Sequence, residues 1–134
     1  MKTQGRKNVH GKGGVRFKAA YTTSKDKSML RNVVTQLIIS GKVEVTYTVA
    51  KQVSPIADRL VTYAKKGDLA SIRQAARFVR DVYTDKTESM TALQKLFKEI
   101  GPKFKDRNGG YTRILKLDNR KGDNAPICLV SFVA

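Results

Sequence analysis

The spacing of apolar residues changes period three times along this chain, and those changes restrict the fold more than any single motif does. Leu30, Val33, Val34, Leu37 and Ile38 recur at i, i+3, i+4, i+7 and i+8, the pattern of an amphipathic helix. Ser24 is its candidate N-cap and Gly41 its stop. Val43-Glu44-Val45-Thr46-Tyr47 then alternates apolar and polar, as a half-buried strand does. A helical period returns at Val49, Val53, Ile56, Leu60, Val61 and Ala64 in a segment opening at Thr48. Pro55 interrupts it, so this helix is either kinked or restarted with Ser54 as cap; the pattern allows both. Asp68 is placed to cap a third helix with Leu69, Ile72, Ala76 and Val79 inward. Asp85 and Glu88 read as a capping box for a fourth, with Met90, Leu93, Leu96, Phe97 and Ile100 inward and Gly101-Pro102 as its end. Two further strands, about 111–117 and 127–133, flank a loop at 118–126.

The expected fold class is therefore α+β, in the order helix, strand, three helices, two strands. The helices should pack on one face of a small three-stranded sheet. With 134 residues, of which 40% are hydrophobic, one globular domain over 25–134 is the natural expectation.

Residues 1–24 do not share these periods. They hold Lys2, Arg6, Lys7, Lys12, Arg16 and Lys18, glycines at 5, 11, 13 and 14, and no acidic residue. Such a segment buries too little apolar surface to offset its ordering entropy, so a flexible basic N-terminal extension is expected in the free protein. His10, the single histidine, has no second histidine or nearby cysteine with which to hold a metal, and reads as one more polar group facing a partner.

Charge names the partner class. Lys and Arg number 27 against 11 Asp and Glu, a formal net charge of +16. An excess this large on a small chain attracts polyanions through counterion release, so nucleic acid leads and an anionic membrane surface follows. The longest apolar run, 33–39, is broken by Thr35 and Gln36 and falls far short of the roughly 20 residues of a membrane span. No hydrophobic segment follows the basic start, so a secretory signal is not expected and the cytoplasm is. Cys128 lies alone in an apolar run, where a small buried side chain is the natural reading.

Two features carry specific chemistry toward phosphate. Arg73, Arg77 and Arg80 follow i, i+4, i+7 and form a basic stripe on the third helical segment. Further on, Arg107-Asn108-Gly109-Gly110-Tyr111-Thr112-Arg113-Ile114-Leu115-Lys116 delivers paired glycines into a basic strand, followed by Arg120-Lys121-Gly122-Asp123-Asn124-Ala125-Pro126. Arginine can pair with phosphate bidentately, and a tyrosine ring can meet an unstacked base. Asp123 within Gly-Asp-Asn is expected to hold its own loop by local hydrogen bonds.

These two blocks closely resemble the C-terminal signature of the bacterial large-subunit ribosomal protein seventeen family. The resemblance also takes in Met29-Leu30-Arg31-Asn32, Tyr63-Ala64-Lys65-Lys66-Gly67-Asp68-Leu69, Arg73-Gln74-Ala75 and Leu96-Phe97, and it runs in order from about Ser24 to Val133. The first twenty-odd residues depart from it, being rich in glycine and lysine where the family has arginine and histidine. Ile127-Cys128-Leu129 departs from the more usual Pro-Met-Ala. The resemblance implies a structural component of the large subunit that binds its ribosomal RNA near the peptide-exit side, neighbours other large-subunit proteins, and is a monomer within the ribosome. Its implied RNA contacts are Lys2, Arg6, Lys7, His10, Lys12, Arg16, Lys18, Arg31, Arg73, Arg77, Arg80, Arg107, Gly109, Gly110, Tyr111, Arg113, Lys116, Arg120 and Lys121.

Catalysis finds little support. Nucleophilic triads would have to recruit His10 from the extension, and Gly11-Lys12-Gly13-Gly14 lacks the spacing of a phosphate-binding loop. No cofactor, metal, small-molecule substrate or membrane insertion is expected. The alternative is a sequence-specific DNA-binding regulator using the third and fourth helices as a helix-turn-helix, although the connection over 81–88 is long and acidic for that motif.

Overall fold

In a computed structural model that describes residues 23–87 and 89–133, the first helical period becomes α1, Thr23–Ser40. Leu30, Val34, Leu37 and Ile38 are buried on one side of it, with Val33 packed partly against them. Side chains of this kind contribute roughly 1.5–3 kcal/mol each when fully buried. Gly41 ends the helix with φ of 77° and its N–H on the Leu37 carbonyl. Ser24 is not the cap, because helical backbone already begins at Thr23.

Strand β1, Lys42–Thr46, leads into α2, Tyr47–Lys66. This helix is continuous through Pro55, so it does not restart there. Lys51 and Pro55 both lie on the exposed side, where water can take the carbonyl that the missing N–H leaves free. Ser54 caps nothing; its hydroxyl is 2.6 Å from the Thr112 hydroxyl and ties α2 to the sheet. Val53, Ala57, Leu60, Val61 and Ala64 form the buried side, and Gly67, at φ of 67°, closes the helix onto the Tyr63 carbonyl.

Asp68 caps α3, Leu69–Ala76, by accepting from the Ser71 N–H at 3.1 Å; hydrogen bonding from the Ser71 side chain, then from this N–H, lowers its carboxyl pKa. The inward residues of α3 differ from those expected. Leu69 is 62% exposed and Ala76 is exposed, while Ser71 and Ala75 are buried. Small side chains allow α3 to lie close against α2, and helical hydrogen bonding gives way to a turn at Arg77, with Val79 buried beyond it.

The fourth helix starts later than expected. Thr91 and Gln94 make the capping box, while Asp85 accepts from the N–H and hydroxyl of Ser89 in the preceding turn, which holds its carboxyl below the usual range. A helical segment Ala92–Lys95, a π-helical stretch Leu96–Ile100 and a last turn Gly101–Lys103 run on as one element, α4. Gly101-Pro102 therefore does not end it. Gly101 instead lies against the Ala64 backbone of α2, a closeness a side chain would prevent.

Strands β2, Thr112–Lys116, and β3, Ile127–Phe132, complete an antiparallel sheet of order β1-β3-β2. Val43 and Ile114 flank Val130, and Val45 and Lys116 flank Cys128. Alternation puts Cys128 and Val130 into the core beneath the helices, both fully buried, and leaves Leu115 and Leu117 half-exposed on the other face. The α+β order read from the sequence is the order observed.

Candidate nucleic-acid interface

The expected contacts at Lys2, Arg6, Lys7, His10, Lys12, Arg16 and Lys18 lie outside the described residues. The remaining basic residues sort into two groups by what their side chains already hold.

Three arginines are committed to the protein. Arg31 is half-buried on α1 and donates from Nε to the Phe78 carbonyl at 3.0 Å. Arg80 lies beyond the end of α3, so it does not extend a stripe with Arg73 and Arg77. Its Nε donates to Asn32 at 3.1 Å and its Nη2 to Ser28 at 3.3 Å, back on α1. The buried Thr35 hydroxyl accepts from the Arg80 N–H at 3.0 Å and donates to the Arg31 carbonyl at 2.7 Å, which fixes this junction. Arg120 forms a two-pronged pair with Asp123 at 2.9 and 2.6 Å across the β2–β3 loop. The guanidinium raises its own pKa through the pair and, with the Ala125 N–H, holds the Asp123 carboxyl well below the usual carboxylate range. Asp123 thus closes its loop locally, as its Gly-Asp-Asn setting implied.

Tyr111 is the clearest departure. Its ring is 4% exposed and packs edge-on to Phe104 at 5.4 Å between centroids, so it offers no stacking surface to a partner. Its hydroxyl donates to the Arg107 carbonyl at 3.1 Å, and the Lys65 ammonium donates to both oxygens. This arrangement ties the 107–110 turn to α2. Gly109 at φ of 112° and Gly110 at φ of 60° form the turn, with open space beside both, so backbone can approach a partner closely there.

Of the basic contacts expected from the sequence, those left uncommitted are Arg73 and Arg77 on α3 and its turn, Arg113 on β2, and Lys121 in the loop, all exposed. None donates a side-chain hydrogen bond to another described residue. Arg107 is exposed and makes one bond, Nε to the Gly109 carbonyl at 3.2 Å. The Lys116 ammonium sits 5.3 Å from the Tyr47 ring centroid, a ring that the Lys51 ammonium also meets at 4.5 Å, and Lys116 is exposed. Sequence reasoning missed Arg59 and Tyr63 on α2, which face Arg77 across a groove. Their signal was present, since Arg59 and Tyr63 stand four apart beside the apolar side of α2.

Other chemistries have little to work with here. No group of three or more His, Cys, Asp or Glu among the described residues could hold a metal, and none of their helices is long and apolar enough to cross a membrane. Residues 77–91 separate α3 from α4, far more than the roughly three or four of a helix-turn-helix.

Among the described residues, fold and charge define a class: a small, strongly basic α+β domain with an apolar core and exposed arginines on rigid elements. The family described as Ribosomal protein L17 matches residues 29–133, and the chain belongs to that family. It is 50% identical over 116 residues to the large ribosomal subunit protein bL17 of Mycoplasma capricolum, an alignment covering 87% of this chain and 96% of that relative. The bL17 proteins of Shouchella clausii and Streptococcus pneumoniae are 47% and 45% identical, each over 87% of this chain and 97% of the relative.

Proposed function

We propose that the protein is a structural constituent of the large ribosomal subunit in the cytoplasm, binding large-subunit ribosomal RNA and supporting translation by stabilising the assembled particle. Binding is the whole mechanism; no bond is made or broken. The observation that carries this reading is the set of exposed guanidinium groups, Arg73, Arg77 and Arg113, left without a side-chain partner among the described residues of a chain bearing +16. Arginines held on a helix and a strand present phosphate-matching forks at little ordering cost, and the glycine turn at 109–110 lets backbone N–H groups join them. The acid-free segment 1–24 adds further phosphate neutralisation, and Arg107, Lys116 and Lys121 complete the basic surface. Arg31, Arg80, Arg120 and Tyr111 support it through their contacts with the rest of the fold. Neighbouring large-subunit proteins meet the less basic faces.

Two measurements test this. In sucrose gradients of a cell lysate the protein should comigrate with large subunits at moderate salt. Its affinity for large-subunit ribosomal RNA should fall steeply with salt, with a log-log slope of about −0.7 to −0.9 per phosphate contacted. A free or DNA-bound pool, or a flat salt dependence, overturns the proposal.

A further inference from the structure

The groove between α2 and the α3 turn has a composition that general phosphate binding does not require. Ile56, Arg59 and Tyr63 of α2 face Gln74, Arg77 and Phe78 across a cavity of about 210 Å³. That is smaller than the roughly 300–1,000 Å³ of a cleft for a drug-sized ligand, and suits one flat ring system. Tyr63 and Phe78 are half-buried and packed against the core, so their rings are positioned before anything binds. The Phe78 wall is further pinned to α1, through the Arg31 bond to the Phe78 carbonyl at 3.0 Å and the Arg80 N–H bond to Thr35 at 3.0 Å.

The polar groups at the rim are spare. Arg59, Arg77, the Gln74 amide and the Tyr63 hydroxyl make no side-chain bond to another described residue, and no acidic side chain lines the groove. Asp58, next to Arg59, is turned to the sheet, where it accepts from Thr112 at 3.1 Å.

We propose that this groove receives a single unpaired nucleotide, its base against Tyr63 and Phe78, its edge read by Gln74, and its flanking phosphates on Arg59 and Arg77; the proposal rests on the RNA-binding reading above. Aromatic rings beside arginines match what unstacked bases in loops and bulges use, whereas a paired helix keeps its bases out of reach. Gln74 can both donate and accept, as a base edge demands. Two free arginines in a groove that no acidic side chain lines favour a polyanion over an apolar anchor from a neighbouring protein.

The test uses the full chain and large-subunit ribosomal RNA, with affinity measured over a range of salt and melting followed in parallel. Tyr63→Leu, which keeps apolar bulk but removes the ring, should weaken binding by about 5- to 150-fold, the range of one base–aromatic stack, and leave the salt slope unchanged. Arg59→Gln, at an exposed position, should melt like the parent and reduce the slope by about 0.7, the single-strand value for one phosphate. Ultraviolet irradiation of the parent complex should crosslink nucleotide to Tyr63 or Phe78, a readout independent of whether Tyr63→Leu folds. Parent-like affinity in a folded Tyr63→Leu, or crosslinks only elsewhere, overturns the groove proposal while RNA binding stands. Parent-like RNA affinity together with loss of a neighbouring ribosomal protein from reconstituted particles overturns it in favour of a protein contact. A parent chain that binds the RNA without salt dependence removes both readings.

Discussion

Replacing Gly101 by alanine should destabilise the protein, although helix propensity alone says the opposite. Gly101 has ordinary helical backbone at φ of −53°, so alanine there adds no conformational strain and would gain about 1 kcal/mol in an open helix. The position is not open. A Cβ would lie 2.9 Å from the Ala64 carbonyl oxygen and 3.1 Å from both its carbonyl carbon and its Cβ. Two of those three atoms are backbone of α2, a 20-residue helix that also packs on α1, α3 and the sheet and cannot yield at one point. Overpacking against such a surface falls toward the top of its usual range, about 3 kcal/mol. The net expectation is a loss of about 2 kcal/mol.

Urea titration should show a lower midpoint with an unchanged slope, and at about 4 °C per kcal/mol the melting temperature should fall by ~8 °C. Gly122→Ala is the control, because nothing lies within 4 Å of where its Cβ would stand and its φ is outside the left-handed region; its effect should stay within about 0.5 kcal/mol. An unchanged or raised midpoint for Gly101→Ala would refute the reasoning that the α2–α4 approach requires a glycine.

Three further outcomes follow from the same geometry. Thr91→Ala removes one half of the capping box at the start of α4 and should cost about 1 kcal/mol by denaturant titration, with Gln94→Ala overlapping rather than adding to it. Arg73→Ala and Arg113→Ala, at exposed unpartnered positions, should each change stability by no more than about 0.5 kcal/mol yet make the salt slope of RNA binding shallower by about 0.7 to 0.9. Asp123 is held below its ordinary pKa by Arg120, so its contribution to stability is present above about pH 4 and is lost as pH falls through the native value. Asp68 and Asp85, lowered by Ser71 and Ser89, act in the same direction, and Asp123→Asn should flatten the acid limb of a stability-versus-pH curve without abolishing it.

The element order was legible because each apolar period ran long enough to be unambiguous. Leu30, Val34, Leu37 and Ile38 in α1 and Cys128 and Val130 in β3 lie where the pattern puts them. The misreadings fall where local chemistry and tertiary contact compete. Asp85 and Glu88 imitate a capping box, but Thr91 and Gln94 offer another six residues further along, and that one is used. Gly101-Pro102 reads as a stop, yet the Ala64 contact favours a helix that continues. In α3 the large Leu69 outweighs Ser71 and Ala75 in any count of apolar residues, although close packing on α2 selects the small ones. The groove joins two helical segments, so although Arg59 and Tyr63 stand four apart on α2, no periodicity within either segment encodes their meeting with Arg77.

The C-terminal block shows why a sequence signature can be specific without each residue touching a partner. Tyr111 looks like a recognition residue because it stands between paired glycines and a basic strand, but its ring completes the core against Phe104. Its hydroxyl and the Lys65 ammonium converge on the Arg107 carbonyl and so fix where the glycine turn leaves α2. Arg120 likewise spends its fork on Asp123 and shapes the next loop. The exposed forks of Arg113 and Arg107 then stand on a turn and strand whose positions are set by those buried or paired neighbours. On the RNA-binding reading proposed above, recognition and scaffolding are divided between adjacent residues of one block, and the spacing of the block serves both.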